Sequence, residues 1–162
     1  MGSAAGGGHL EVLRWAREHG CEWDEFTCAC AARGGHLEVL KWARLHDCPW
    51  DDKTCHYAAC VGHLEVLKWS LDNECPRNEW TCVHAAAGGQ LEALKLAREY
   101  NCPWDWMTIS NAKVDGHLGV VQWALENGCP DDEPEETPEE DSESEEEEEE
   151  SEEVEEEDEE DV

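Results

Sequence analysis

Apolar residues in this chain recur at helical spacing rather than in strand-like alternation. In the segment His36–Arg44, Leu37, Leu40 and Ala43 form one stripe, and Val39 and Trp42 form an adjoining one. A helix with two neighbouring apolar stripes can touch both its own partner helix and a neighbouring unit. Ahead of it lies a shorter pattern, Thr27-Cys28 followed by Ala31-Ala32, closing at Gly34-Gly35. The pattern predicts a short helix whose small alanine pair allows close contact with another helix. Asp24, Asp51, Asn78 and Asp105 stand where each such helix begins and are suited to cap it.

The same pattern returns every 27 residues. Gly8-His9-Leu10 recurs as Gly35-His36-Leu37, Gly62-His63-Leu64, Gly89-Gln90-Leu91 and Gly116-His117-Leu118. Cys21, Cys48, Cys75, Cys102 and Cys129 keep that register, as do Trp15, Trp42, Trp69 and Trp123, with Leu96 in the remaining place. The second helix of each unit should stop at Gly20, Asp47, Glu74, Asn101 or Gly128, and four of these tolerate a left-handed cap. Pro49, Pro76, Pro103 and Pro130 follow two residues later. Each unit therefore reads as helix–turn–helix, and no segment reads as a strand. Helices this short are marginal alone, so stability must come from stacking. The fold class expected is all-α, a helix-turn-helix repeat solenoid.

The run Ala58-Ala59-Cys60-Val61-Gly62-His63-Leu64-Glu65-Val66-Leu67-Lys68 resembles the middle of an ankyrin repeat, and residues 31–41 and 86–95 match almost as well. The resemblance extends over residues 4–129. It implies a non-catalytic protein–protein interaction scaffold that uses the surface of stacked repeats. Two departures bear on that surface. The period is 27 residues against roughly 33 in ankyrin repeats, and the missing residues fall where an ankyrin unit extends its β-hairpin finger. The finger is thus expected to be reduced or absent, leaving a tight Cys-Pro-Trp-Asp turn. The T-P-L-H signature is replaced by Thr27-Cys28 and Thr81-Cys82. Recognition should then rest on the inner helices.

Charge divides the chain in two. Residues 130–162 hold 24 of the 42 Asp and Glu and no Lys or Arg, so the remainder has a net charge near −7 out of −31. A run of glutamates with so few apolar side chains cannot offset its chain entropy by burial, and a disordered acidic tail is expected there. The domains are accordingly 1–129, the repeat solenoid, and 130–162, the tail. Within the solenoid a truncated first repeat precedes three good units and a degenerate last one, in which Lys113 replaces the second alanine and Gly119 the glutamate. Met1–Gly8 corresponds to the close of a first helix, so the chain opens inside a unit, as a piece of a longer array or as half a unit.

Positions that vary between otherwise similar units are where a solenoid can specify a partner. They are Phe26/Lys53/Trp80/Met107, Ala29/His56/Val83/Ser110, Cys30/Tyr57/His84/Asn111, Arg33/Cys60/Ala87/Val114 and Gly34/Val61/Gly88/Asp115. From these, Phe26, Arg33, Lys53, Tyr57, Trp80, His84, Met107 and Asp115 are the candidate partner-binding residues. The ten cysteines suggest neither disulfides nor metal. Equivalent sites on stacked helices stand about 8–10 Å apart, too far for a disulfide, and columns so spaced do not converge tetrahedrally on zinc. Cys55-His56 and Cys82-x-His84 set thiol and imidazole close in sequence, but adjacency does not imply the three-part geometry of an activated thiol. No catalytic residue, cofactor or metal ligand is expected. An acidic body disfavours direct nucleic-acid binding, and no run is long enough to span a bilayer.

The expected partner is another protein, with the chain itself a monomer in an intracellular compartment, cytoplasmic or nuclear. The alternative gives the active role to the tail, as a binder or chaperone of basic proteins such as histones. A third use of the tail would be to fold back on Arg14, Arg17, Lys41, Arg44, Lys68, Lys95 and Arg98.

Overall fold

The computed structural model describes residues 1–131, so the expected acidic tail lies outside the described residues from 132 onward. The described chain forms ten helices and no strand, arranged as five consecutive pairs. These are α1 (Gly2–Gly6) with α2 (Leu10–Glu18), α3 (Glu25–Arg33) with α4 (Leu37–Leu45), and α5 (Asp52–Val61) with α6 (Leu64–Asp72). The last two pairs are α7 (Trp80–Ala87) with α8 (Leu91–Glu99) and α9 (Trp106–Val114) with α10 (Leu118–Glu126). The first unit is short, as expected, its opening helix only five residues long. Among the described residues no helix is long and apolar enough to cross a membrane.

The odd-numbered helices pack side by side in chain order, α1 on α3 on α5 on α7 on α9, and each also packs on its own partner. Between the layers runs one core. Leu13, Leu40, Leu67 and Leu94, one in each of the first four units, are completely buried, as are the alanine pairs 31/32, 58/59 and 85/86. Burying a leucine contributes about 1.5–3 kcal/mol. The alanines contribute less by area, but their small size is what lets the first helices approach one another.

The ends of the helices follow the sequence closely. Asp47, Glu74 and Asn101 adopt positive φ, as do Gly20 and Gly128. The amide of Cys48 donates to the carbonyl of Ala43 (3.0 Å) and that of Asp47 to Arg44 (3.2 Å). This double closure satisfies the last carbonyls of a helix. Glu74, a residue that rarely enters the left-handed region, makes the same closure through Cys75 to Ser70 at 3.0 Å. The buried cysteine that follows then anchors the turn, with Sγ of Cys48, Cys75 and Cys129 reaching the carbonyl that opens the same unit's first helix at 3.3–3.5 Å. At the other ends, Asp51 and Asp105 accept from the backbone amides two residues on at 3.1 and 3.0 Å. Asn78 does the same for Trp80 (3.1 Å), whereas Asp24 receives the Thr27 hydroxyl instead.

Units are tied by the histidine that precedes each second helix. The rings of His36, His63 and His117 bond through Nε2 to the carbonyls of Gly6, Arg33 and Ala87 in the preceding unit, at 3.0, 3.1 and 3.0 Å. Gln90 turns its amide to the neighbouring Gly88 carbonyl instead. Gly88 is one place where the units approach closely, since a Cβ there would lie 2.0 Å from the Cys60 carbonyl oxygen.

Candidate partner-binding face

The side of the odd-numbered helices turned away from the core carries a repeated stripe at helical spacing. On α3 it is Phe26, Cys30 and Arg33; on α5 Lys53, Tyr57 and Cys60; on α7 Trp80, His84 and Ala87; on α9 Met107, Asn111 and Val114. None of these twelve is buried, and Phe26 and Trp80 are 51% and 39% exposed. Parallel helices thus set four stripes next to one another, and the face they make is the part of the molecule that differs most from unit to unit.

Contacts join several of the predicted residues. The Arg33 guanidinium lies 5.8 Å from the Tyr57 ring centroid. Trp80 meets His84 edge-on at 5.8 Å, and the His84 Nδ1 bonds the Trp80 carbonyl at 2.8 Å. Lys53 is held by Asp51 at 3.1 Å, and its charge is favoured further by that pairing. Phe26 and Arg33 flank a shallow hollow of about 350 Å³ floored by Gly2, Gly6 and Gly34. Asp115 caps the end of α9 and is exposed, away from the aromatic rows.

One variable column does not belong to this face. Ala29, His56 and Val83 are buried, at 0%, 7% and 3% exposure. They face the seam between neighbouring first helices, so their variation reflects packing rather than recognition. His56 shows what that seam does. It stacks parallel on His84 with ring centroids 5.2 Å apart. Its Nε2–H donates to Asn78 Oδ1 at 2.8 Å, and Asp52 Oδ2 lies 3.5 Å away. Asn78 in turn donates to Asp52. Burial holds the His56 pKa below the usual histidine value, against the opposing pull of Asn78 and Asp52. A polar cluster of buried His56 with half-buried Asp52 and Asn78 therefore stands behind Trp80 and His84.

On the second helices, three of the arginines offered to the tail are engaged within the body. Arg17, Arg44 and Arg98 each lie over a tryptophan six positions on, Trp23, Trp50 and Trp104, at 4.2–4.4 Å. Each also donates to the carbonyl of the cysteine in the turn, Cys21, Cys48 or Cys102. Trp23, Trp50 and Trp104 then meet Trp42, Trp69 and Trp123 edge-on at 5.5–6.0 Å. The signal was present in the sequence: the unit with Arg77 in place of that tryptophan also has Leu71 in place of the arginine. On the same helices, Glu38–Lys41 and Glu92–Lys95 pair three residues apart at 3.0 and 2.7 Å.

All ten cysteines are free. Thiols from different columns do meet, within a unit rather than between units. Hydrogen bonding to the Cys48 thiol, with burial, drives the Cys28 pKa far above the ordinary thiol range, and Cys75 does the same to Cys55. Burial pushes Cys82 up to about 12. Thiolates are disfavoured at all three, as suits side chains packed in the core.

Residues 3–44 match the family model described as ankyrin repeats (many copies). No curated protein matches the chain. The matched span covers the first two helix pairs, and the three pairs that follow repeat the same helices, caps and seams in the same register.

Proposed function

We propose that this ankyrin-repeat chain is a non-catalytic scaffold that holds another protein against the exposed side of its first-helix layer, through Phe26, Arg33, Lys53, Tyr57, Trp80, His84 and Met107, with Asp115 at the rim. One observation carries the reading. Apart from the seam column of Ala29, His56 and Val83, the buried positions of the first helices largely repeat from unit to unit while the exposed stripe changes, placing Phe26, Lys53, Trp80 and Met107 in one row and Cys30, Tyr57, His84 and Asn111 in the next. Aromatic side chains with a polar tip, set on rigid helices and flanked by charge, are the usual anchors of protein interfaces. Ankyrin repeats in general serve protein–protein binding, and the family is typically non-catalytic. The partner surface that fits this row is apolar at its centre and basic at its edge, because Asp24, Glu25, Asp51, Asp52 and Glu79 border the row at the helix starts.

A second reading assigns the work to the acidic segment 130–162, as a binder of basic proteins such as histones. Asp131 of this segment is tied to Lys113 of the body, but most of the other cations there are already engaged, which supports a partner outside the chain. Arg14, Lys41, Lys53 and Lys95 are paired with Glu11, Glu38, Asp51 and Glu92. Arg17, Arg44 and Arg98 are engaged by carbonyls and tryptophans.

Affinity capture with the full chain, with a chain truncated at Pro130, and with the Trp80→Ala/Tyr57→Ala double variant separates the two. On the first reading capture survives truncation and moderate salt and falls by ~10-fold or more in the double variant, the loss expected of aromatic anchors. Capture that disappears on truncation and at moderate salt, yet ignores the double variant, assigns binding to the tail.

A further inference from the structure

Neighbouring units hold the members of any one cysteine column apart, but inside a unit two columns converge. Cys28, Cys55 and Cys82 stand in the first turn of α3, α5 and α7, and Cys48, Cys75 and Cys102 in the turn that leaves α4, α6 and α8. We infer that Cys28 with Cys48, and Cys55 with Cys75, are paired redox sites: exchange with a small disulfide oxidises each pair to a bridge that staples the two ends of its unit. The inference is independent of the partner-binding face.

The sulfurs are brought together from both ends of the pair. Sγ of Cys48 lies 3.5 Å from the Asp24 carbonyl oxygen, and Sγ of Cys75 lies 3.4 Å from that of Asp51. Cys28 and Cys55 follow those aspartates by four residues, one turn up the helix. A helical side chain leans toward the N-terminus and covers the turn before its own, so each reaches back over the same carbonyl. The Cys28 thiol accordingly hydrogen-bonds the Cys48 sulfur, and Cys55 that of Cys75. In the next unit the approach is visible from the other side, with Cys82 Sγ 3.7 Å from the Cys102 carbonyl oxygen. All six cysteines are buried, none more than 1% exposed. The last unit breaks the pattern, because Ile109 fills the first of the two places and is itself fully buried. Cys129 is therefore an internal control.

Reactivity is divided within the pair. The hydrogen bond from Cys28 holds the Cys48 pKa below the ordinary thiol value, which makes Cys48 the entering nucleophile. It also lies in a turn between exposed residues, Asp47 and Pro49, as Cys75 lies between Glu74 and Pro76. Lifting of that turn, without parting of the helices, admits a small disulfide. The Cys48 thiolate attacks one sulfur of it, forming a mixed disulfide and expelling the first thiolate. Cys28, its proton lost, then attacks Cys48 Sγ and expels the second. The two cysteines give up two electrons and two protons, which leave on two small thiols. Each pair is 20 residues apart, and closing a loop of that size restricts the unfolded chain.

The full chain, held in a buffer of glutathione and glutathione disulfide until its composition is constant, tests the inference. Constancy is approached from the folded reduced chain and from chain refolded out of urea in the same buffer, so slow access to the buried thiols does not decide the result. Remaining thiols are then alkylated and proteolytic peptides are weighed. Peptides joined through Cys28–Cys48 and Cys55–Cys75 are expected, each two hydrogens lighter than the reduced pair, with Cys129 in no bridge. The oxidised chain should melt about 5 °C or more above the reduced one. Cys28→Ala should lose the first bridge and keep the second; should it lose helicity, Cys48→Ala tests the same bridge. Four thiols still open to alkylation from both starting points overturn the inference. Bridges that join different units do so too, as does a melting temperature unchanged or lowered by oxidation.

Discussion

A single buried imidazole shows how the seam between helices sets the chemistry of the face in front of it. His56 is held neutral by burial, with its Nε2–H committed to Asn78 and its ring stacked on His84. Because its pKa is lower in the folded chain, the unfolded chain binds the extra proton first. Its contribution to stability is therefore fully present above the unfolded histidine value, about 6.5, and is lost as pH falls from there toward the folded value. Thermal melting followed by circular dichroism should show Tm dropping over that window. His56→Gln, which keeps a donor for Asn78 but cannot titrate, should flatten the drop relative to the parent. Equal slopes in the two proteins would remove His56 as the cause.

Among the elements, the loop between α7 and α8 is where the repeat loses a bond that the other full units keep. Gln90, a flexible amide in place of the imidazole, folds onto the Gly88 carbonyl instead of reaching that of Cys60 in the preceding unit. Gln90→His should restore the tie made by His36, His63 and His117. A recovered hydrogen bond at a half-buried site contributes about 1 kcal/mol, read as a higher midpoint in urea unfolding with an unchanged slope. A lower midpoint would mean that the imidazole does not fit over Gly62. Much of this level was legible beforehand. The caps at Asp51 and Asp105, the left-handed stops and the prolines after them all depend on a few consecutive residues. The tie itself was not legible, because it joins residues 30 apart across a seam whose width the sequence does not state.

At the scale of the whole molecule, each helix pair touches only its neighbours, so stability is distributed unevenly along the stack. The first pair has one neighbour and an opening helix of five residues that includes Gly2 and Gly6. The last pair also has one neighbour among the described residues. Amide hydrogen exchange should therefore be fastest in α1 and α2, intermediate in α9 and α10, and slowest in α5 and α7, whose seams lie on both sides. Uniform protection across all five pairs would show instead that the array unfolds as one unit. Exposure follows the same asymmetry: Val12 is 53% exposed where Val39 and Val66, with a neighbour on each side, are 3% and 2% exposed.

The division between what was readable and what was not follows from range. The 27-residue register, the two helices per unit, their caps and stops, the all-α architecture and the lost hairpin finger were determined by the sequence, since each is a property of neighbouring residues or of a fixed period. Most of the candidate face was readable too, because varying positions at helical spacing fall on one side. The tertiary structure alone decided that Ala29, His56 and Val83 lie in the seam, that Arg17, Arg44 and Arg98 are spent on tryptophans and carbonyls, and that Cys28 meets Cys48 within a unit. Each of those outcomes depends on how closely and at what rotation one helix sits against the next. That is fixed by the packing of small side chains such as Ala58 and Ala59 and the close approach at Gly88, and it is written in no single stretch of the chain.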